Sequence, residues 1–136
     1  MRAIPFIICA CLTLAHAQIS FTEHAIADGY YNPWYVFGID VDSDTDLDVI
    51  SAGRLGHRLS WFENDGSENF TRHDLSAACY YAMDVNGIDI DADNDVDILC
   101  ASQSSGVELW VNDGSQNFTR QIIANWQYAS RLDVAD

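Results

Sequence analysis

Beyond residue 18 the apolar positions fall into short runs separated by polar, turn-forming clusters. Aromatic and β-branched residues gather at 34–39, 48–52, 58–63 and 70–75, and again at 81–88, 96–101, 107–111 and 118–123. An earlier run at 19–26 has the character of the last strand in each group. No stretch here keeps a 3.6-residue apolar period flanked by helix caps. Short runs with turn signals at even spacing predict strands and an all-β chain. Between the third and fourth run of each group stand Asn64-Asp65-Gly66 and Asn112-Asp113-Gly114, whose Asp-Gly step supplies the positive φ of a tight hairpin.

The two groups are copies. Phe21-Thr22-Glu23-His24 returns as Phe70-Thr71-Arg72-His73, and Gly38-Ile39-Asp40 as Gly87-Ile88-Asp89, both at a spacing of 49. Asn64 to Arg72 returns as Asn112 to Arg120 at 48, so one residue slips between Ala52 and Asn64. Four strands in about 40–50 residues is the unit of a β-propeller blade. The predicted fold is therefore an all-β propeller segment of about two and a half repeats, with complete blades at about 34–75 and 81–123 and a partial third from about 128. The final residues, Ser130 to Asp136, look like the entry to a third acidic loop that stops at its first aspartate, so a longer chain with further blades is expected.

Each copy carries an acidic loop between its first two strands. Asp40, Asp42, Asp44, Asp46 and Asp48 alternate with other residues, as do Asp89, Asp91, Asp93, Asp95 and Asp97. These ten make up nearly half of the 21 acidic residues, in a chain with a formal net charge of −15 and no lysine. One carboxylate pair at ~4 Å and an effective dielectric of ~20 costs about 4 kcal/mol. A hard cation relieves that repulsion, and Ca²⁺, with six to eight oxygen ligands, suits such loops. An EF-hand does not fit: glycine at its sixth position is replaced by Thr45 or Asn94, and the twelfth-position glutamate by Ser51 or Cys100. The charge argues against nucleic acid, whose phosphates call for Lys and Arg. The apolar fraction of 49% argues for a packed core despite that acidity.

The first 17 residues read as a leader. Arg2 precedes the apolar run Ile4–Leu14, and Ala15-His16-Ala17 supplies a cleavage signal that makes Gln18 the first mature residue. The run is too short to span a bilayer, and no second apolar segment follows it. Export places the chain outside the cell or on its surface, where low-affinity calcium modules work. Removal of the leader takes Cys9 and Cys11 and leaves Cys79 and Cys100, for which a disulfide and two separate buried thiols are both open readings. Asn69-Phe70-Thr71 and Asn117-Phe118-Thr119 have the form of glycosylation sequons, but a turn-ending asparagine copied with its repeat is the preferred reading.

The acidic loop, the Trp- and Phe-rich third strand and the Asn-Asp-Gly-Ser turn, coinciding at one period, resemble the FG-GAP/VCBS repeat, the blade of integrin α-chain-like propellers. The resemblance covers nearly all of residues 19–136. It implies calcium bound by the side chains of Asp40, Asp42, Asp44 and Asp48 and the main-chain carbonyl of Asp46. In the second loop it implies the side chains of Asp89, Asp91, Asp93 and Asp97 and the carbonyl of Asp95. Ser43, Thr45, Ala92 and Asn94 stand where such loops often carry glycine, and Phe37-Gly38 is only a partial echo of the signature behind the family name.

There is no nucleophile elbow, zinc spacing or phosphate loop, so no enzyme activity is expected. His24 and His73 fall at equivalent places, which suits a structural position, and Trp61 and Trp110, one residue out of step, suit blade packing. The expected function is an exported calcium-binding propeller module for extracellular binding or adhesion to a protein or glycan. The competing readings are the non-catalytic propeller of a secreted carbohydrate-active enzyme and a structural spacer.

Overall fold

The computed structural model describes residues 23–134 apart from positions 28, 31, 77 and 78. The expected leader, residues 1–17, and Asp136 lie outside the described residues. The described chain folds as eight strands without a helix: β1 (Pro33–Ile39), β2 (Asp48–Gly53), β3 (Arg58–Asn64), β4 (Phe70–Ser76), β5 (Ala82–Ile88), β6 (Asp97–Ser102), β7 (Gly106–Asn112) and β8 (Phe118–Ala124). They make two four-stranded sheets of order β1-β2-β3-β4 and β5-β6-β7-β8, each pairing antiparallel with its chain neighbour. Every strand lies within a residue or two of its expected run. The exception is the run at 19–26. Residues 23–26 are not in a strand, and the rest lie outside the described residues. A fourth strand needs a third to pair with, and no described residue before β1 supplies one. Residues 125–134 likewise form no strand; the Leu132 N–H donates to Asp84 Oδ2 at 2.8 Å.

The sheets meet through unlike faces. Alternation along the strands sets Phe37, Ile39, Ile50, Ala52, Leu59 and Trp61 on one face of the first sheet. Against them pack Val85, Ile98, Cys100 and Trp110 of the second sheet, in one buried cluster that also takes in Val41, Cys79 and Ala82. By the 49-residue spacing Ile98 corresponds to Val49, which points to the other side of its own sheet. The two tryptophans show the same rule from another direction. Trp61 pairs with Ile50, and Trp110 with Ile98. Their one-residue offset turns them to opposite faces of their sheets, and a seam between opposite faces brings both into one core.

Gly87 is what lets β5 approach so closely. A Cβ there would stand 2.8 Å from Ile39 Cγ2 and 3.2 Å from both Ile50 Cδ1 and Val96 Cγ1. Gly87→Ala is therefore expected to destabilise the chain by about 1–3 kcal/mol through overpacking of the seam. Gly38→Ala, whose Cβ would meet only Leu47 side-chain carbons within 3.6 Å, is expected to cost less. Denaturant unfolding of the two variants side by side checks the order.

The burial of β1 and β5 differs for the same reason. β5 lies in the seam and is largely buried, whereas the corresponding Trp34, Tyr35 and Val36 of β1 are exposed. Val41 is buried at the seam, while its counterpart Ile90 is 45% exposed.

Candidate metal centre

Each acidic loop leaves its first strand, reverses twice and enters the second strand on its last aspartate. The reversals need left-handed backbone at alternate positions. Ser43 and Thr45 have φ of 64° and 82°, and Ala92 and Asn94 have 65° and 74°. These are the four positions singled out by their lack of glycine. Each non-glycine residue in this conformation costs about 1–2 kcal/mol, so the loops hold their shape against local strain. Something else fixes them.

That fixing comes from the first and last aspartates. The fully buried carboxylate of Asp48 accepts from Val41 N–H at 2.9 Å through Oδ2 and from Asn64 N–H at 2.8 Å through Oδ1. Asp97, also fully buried, accepts from Ile90 N–H at 3.1 Å and Asn112 N–H at 2.8 Å. Asp40 accepts from the N–H groups of Asp44 and Thr45 at 3.2 and 3.0 Å, and Asp89 from those of Asp93 and Asn94 at the same distances. Asp44 and Asp93 each accept from the N–H two residues on, at 2.9 Å. The two loops are thus the same object built twice.

The geometry divides the ten aspartates. Carboxylate oxygens of Asp40, Asp42 and Asp48 lie within 4.8 Å of one another, and so do those of Asp89, Asp91 and Asp97. Asp44 and Asp93 stand outside these triplets. The side chains of Asp46 and Asp95 turn away to the Asn-Asp-Gly loops, where a Cβ on Gly66 or Gly114 would overlap their carboxylates. That leaves their carbonyls, rather than their carboxylates, for the ligand role expected of them.

Burial and charge crowding act together on these carboxyls. Burial first, then the charges of Asp48, Asp44 and Glu63, raises the Asp42 carboxyl above the ordinary value. Burial also raises Asp48, with Asp44 and Asp40 acting in the same direction, against the opposing pull of the Asn64 and Val41 hydrogen bonds. Asp91 is raised by loss of water and by Asp93 and Asp97, and Asp95 by loss of water and by Asp93, Asp89, Asp97 and Asp113.

Two residues of the site escaped the sequence reading. Asn64 donates its N–H to Asp48, donates Nδ2 to Leu47 O at 3.3 Å, and accepts from Gly66 N–H at 3.2 Å. Asn112 does the same with Asp97, Val96 O and Gly114. They tie each acidic loop to the loop between the third and fourth strands. The signal was present, since both begin the Asn-Asp-Gly turn. That turn is longer than a tight hairpin: residues 65–69 and 113–117 connect the strands. Asp65 Oδ1 accepts from Ser67 and Asn69 N–H and Oδ2 from Asn69 Nδ2, a pattern that Asp113 repeats with Ser115 and Asn117. The sequon asparagines Asn69 and Asn117 thus close these turns.

The donor set suits a hard divalent cation. Each triplet offers carboxylate oxygens only. A carboxylate has about four lone-pair sites, so the two N–H bonds at Asp48 or Asp97 leave capacity for an ion. Such an ion would be held by Asp40, Asp42 and Asp48, and by Asp89, Asp91 and Asp97, with neutralisation of the crowded charge as its contribution. His73 and His24 are engaged elsewhere. His73 Nε2 lies 2.7 Å from Glu63 Oε2 with its ring stacked on Trp61, and His24 Nδ1 lies 2.8 Å from Glu68 Oε2.

In comparison with known families, residues 40–100 match the FG-GAP-like repeat. The matched stretch starts on Asp40 and contains both triplets. Neither the curated proteins nor the solved structures gave a match.

Proposed function

We propose that this chain, which carries an FG-GAP-like repeat across residues 40–100, is an exported β-propeller module whose blades are the two sheets and whose acidic loops bind structural Ca²⁺. The observation that carries the reading is the pair of carboxylate triplets, placed identically in two copies and held by the same hydrogen bonds. An ion in each loop acts as a clamp: it offsets the aspartate repulsion and stabilises the left-handed turns. Repetition favours a clamp over a reaction centre, because each copy supplies the same carboxylates in the same arrangement.

Calcium should therefore stabilise. At about 100 times its Kd a ligand adds about 2.7 kcal/mol per site, so the melting temperature of the full chain should rise with Ca²⁺ and fall on chelation. Asp42→Asn and Asp91→Asn should weaken calorimetric Ca²⁺ binding. A melting curve indifferent to both calcium and chelator would overturn the clamp.

The module's role is extracellular binding or adhesion, with a protein or glycan as partner and no catalytic step of its own. FG-GAP repeats are typical of extracellular proteins, which supports this placement, and the leader-like first 17 residues point the same way. No helix of the described residues is long and apolar enough to cross a membrane. Export is checked by sequencing the N-terminus of protein recovered outside the cell, where Gln18 should come first. A glycan array probed with the full chain separates a glycan partner from a protein one.

A further inference from the structure

We propose that Cys79 and Cys100 are a disulfide site that staples the connection between the two sheets to β6. Both are fully buried, and their Sγ atoms lie 3.2 Å apart as free thiols. A disulfide requires an S–S distance of about 2.05 Å, a closure of about an ångström. Cys100 is held in the centre of β6, whereas Cys79 precedes β5 outside any strand, where no ladder hydrogen bonds fix it.

The repeat shows that this contact is built into the architecture. Forty-nine residues earlier the two positions are Tyr30 and Ser51. There the Tyr30 hydroxyl donates to Ser51 O at 3.0 Å. The backbone around each pair also corresponds: Arg54 N–H donates to Asn32 O at 3.1 Å, and Gln103 N–H to Tyr81 O at 3.2 Å. In both copies the segment before the first strand is held across the second strand. The first copy does this with a hydrogen bond, and the second sets two sulfurs in the corresponding places. Cys79 belongs to the core cluster that joins the sheets, so a bond there ties the seam itself. Its N–H also donates to His57 O of the first sheet's β2–β3 turn at 3.1 Å.

The chemistry is thiol–disulfide exchange with a small-molecule disulfide such as oxidised glutathione. One protein thiolate attacks the glutathione disulfide, forming a mixed disulfide and releasing one glutathione thiolate. The second protein thiolate attacks the protein sulfur of that intermediate and releases the other. Two protons leave the cysteines, and two electrons pass to glutathione. The hydrogen bond to Cys79 and burial both push the Cys100 thiol well above its ordinary value. The exchange therefore takes place while the seam is open, before or during docking of the sheets.

The test is to unfold the reduced full chain in denaturant, let it refold in a mixture of reduced and oxidised glutathione, alkylate it in denaturant, and map it without reduction after cleavage at aspartates, which separates the two cysteines. The expected product is a cross-linked pair of peptides carrying Cys79 and Cys100. Reductant should then lower the melting temperature of the wild-type chain by several degrees and leave Cys79→Ala unchanged. Complete alkylation of both cysteines, or glutathione adducts alone, would overturn the proposal. Where the alanine variant does not fold, the wild-type map decides the matter.

Discussion

Asp48→Ala and Asp97→Ala should each destabilise the metal-free chain, by about 3–5 kcal/mol. Two effects compete at these positions. Removing a carboxylate relieves repulsion within a loop of five aspartates, which on its own would stabilise the chain. But each of these two carboxylates is fully buried and accepts two backbone N–H groups, from Val41 and Asn64 in one loop and from Ile90 and Asn112 in the other. Hydrogen bonds to a charged group contribute about 1.5–3 kcal/mol each, and a buried donor left unsatisfied costs about 1–3 kcal/mol. The local losses exceed the gain from lower charge. Urea unfolding in chelator measures the difference. Asp42→Asn is the contrast, because it removes charge where only Asp44 N–H, at 3.3 Å, is held. Asp42→Asn should be neutral or stabilising without metal and harmful only with it. Equal effects of Asp48→Ala and Asp42→Asn in chelator would mean that the last aspartate is merely another acidic side chain.

The second large effect belongs to the seam side of the second sheet. Glu108 is buried on β7, and Arg120 on β8 grips it with Nε at 3.0 Å and Nη2 at 2.8 Å. Arg120→Ala leaves that carboxylate without its guanidinium. Breaking a buried pair costs about 3–5 kcal/mol; the arginine side chain is 41% exposed, so solvent screening reduces the expected loss to about 2–3 kcal/mol. The sign of the pH dependence follows. Burial pushes Glu108 up, but the hydrogen bonds from Arg120 and Ser105, with the Arg120 charge, outweigh it and hold the carboxyl below its ordinary value. In the wild type this contribution is present above the unfolded-state value of 4.5 and is lost as pH falls through the lower folded value. Without the arginine that lowering is lost while burial still opposes ionisation, so the variant loses less on acidification than the wild type. The stability gap between wild type and Arg120→Ala should narrow from pH 7 to pH 4. A constant gap over that range would show that the guanidinium acts through packing alone.

Much of this was legible in the sequence because a strand has a period of two and the unit is written twice. Copy against copy, the acidic loops and the Asn-Asp-Gly turns locate each other, and the strands between them follow. Which aspartates converge was not legible. The resemblance set Asp46 and Asp95 apart as carbonyl ligands, but only the path of the loop separates Asp44 and Asp93 from the triplets. The burial of Asp48 and Asp97 had a trace in their position at the strand entrance, just before two apolar residues. The seam was hidden for a different reason. It depends on how one sheet is set against another, and a single-residue slip, as between Trp61 and Trp110, changes the face that a side chain serves.

The joining of unlike faces bears on how such a chain lengthens. A contact between like faces is satisfied once two units have met, and a third has nothing left to bind. Here the first sheet contributes one face and the second the other, so an in-frame duplication of a whole unit would carry both halves of the contact with it. Gene duplication can then extend the protein without inventing a new interface. Substitutions such as tyrosine and serine in one copy against two cysteines in the next are the divergence that follows once each copy is free to strengthen its own joint.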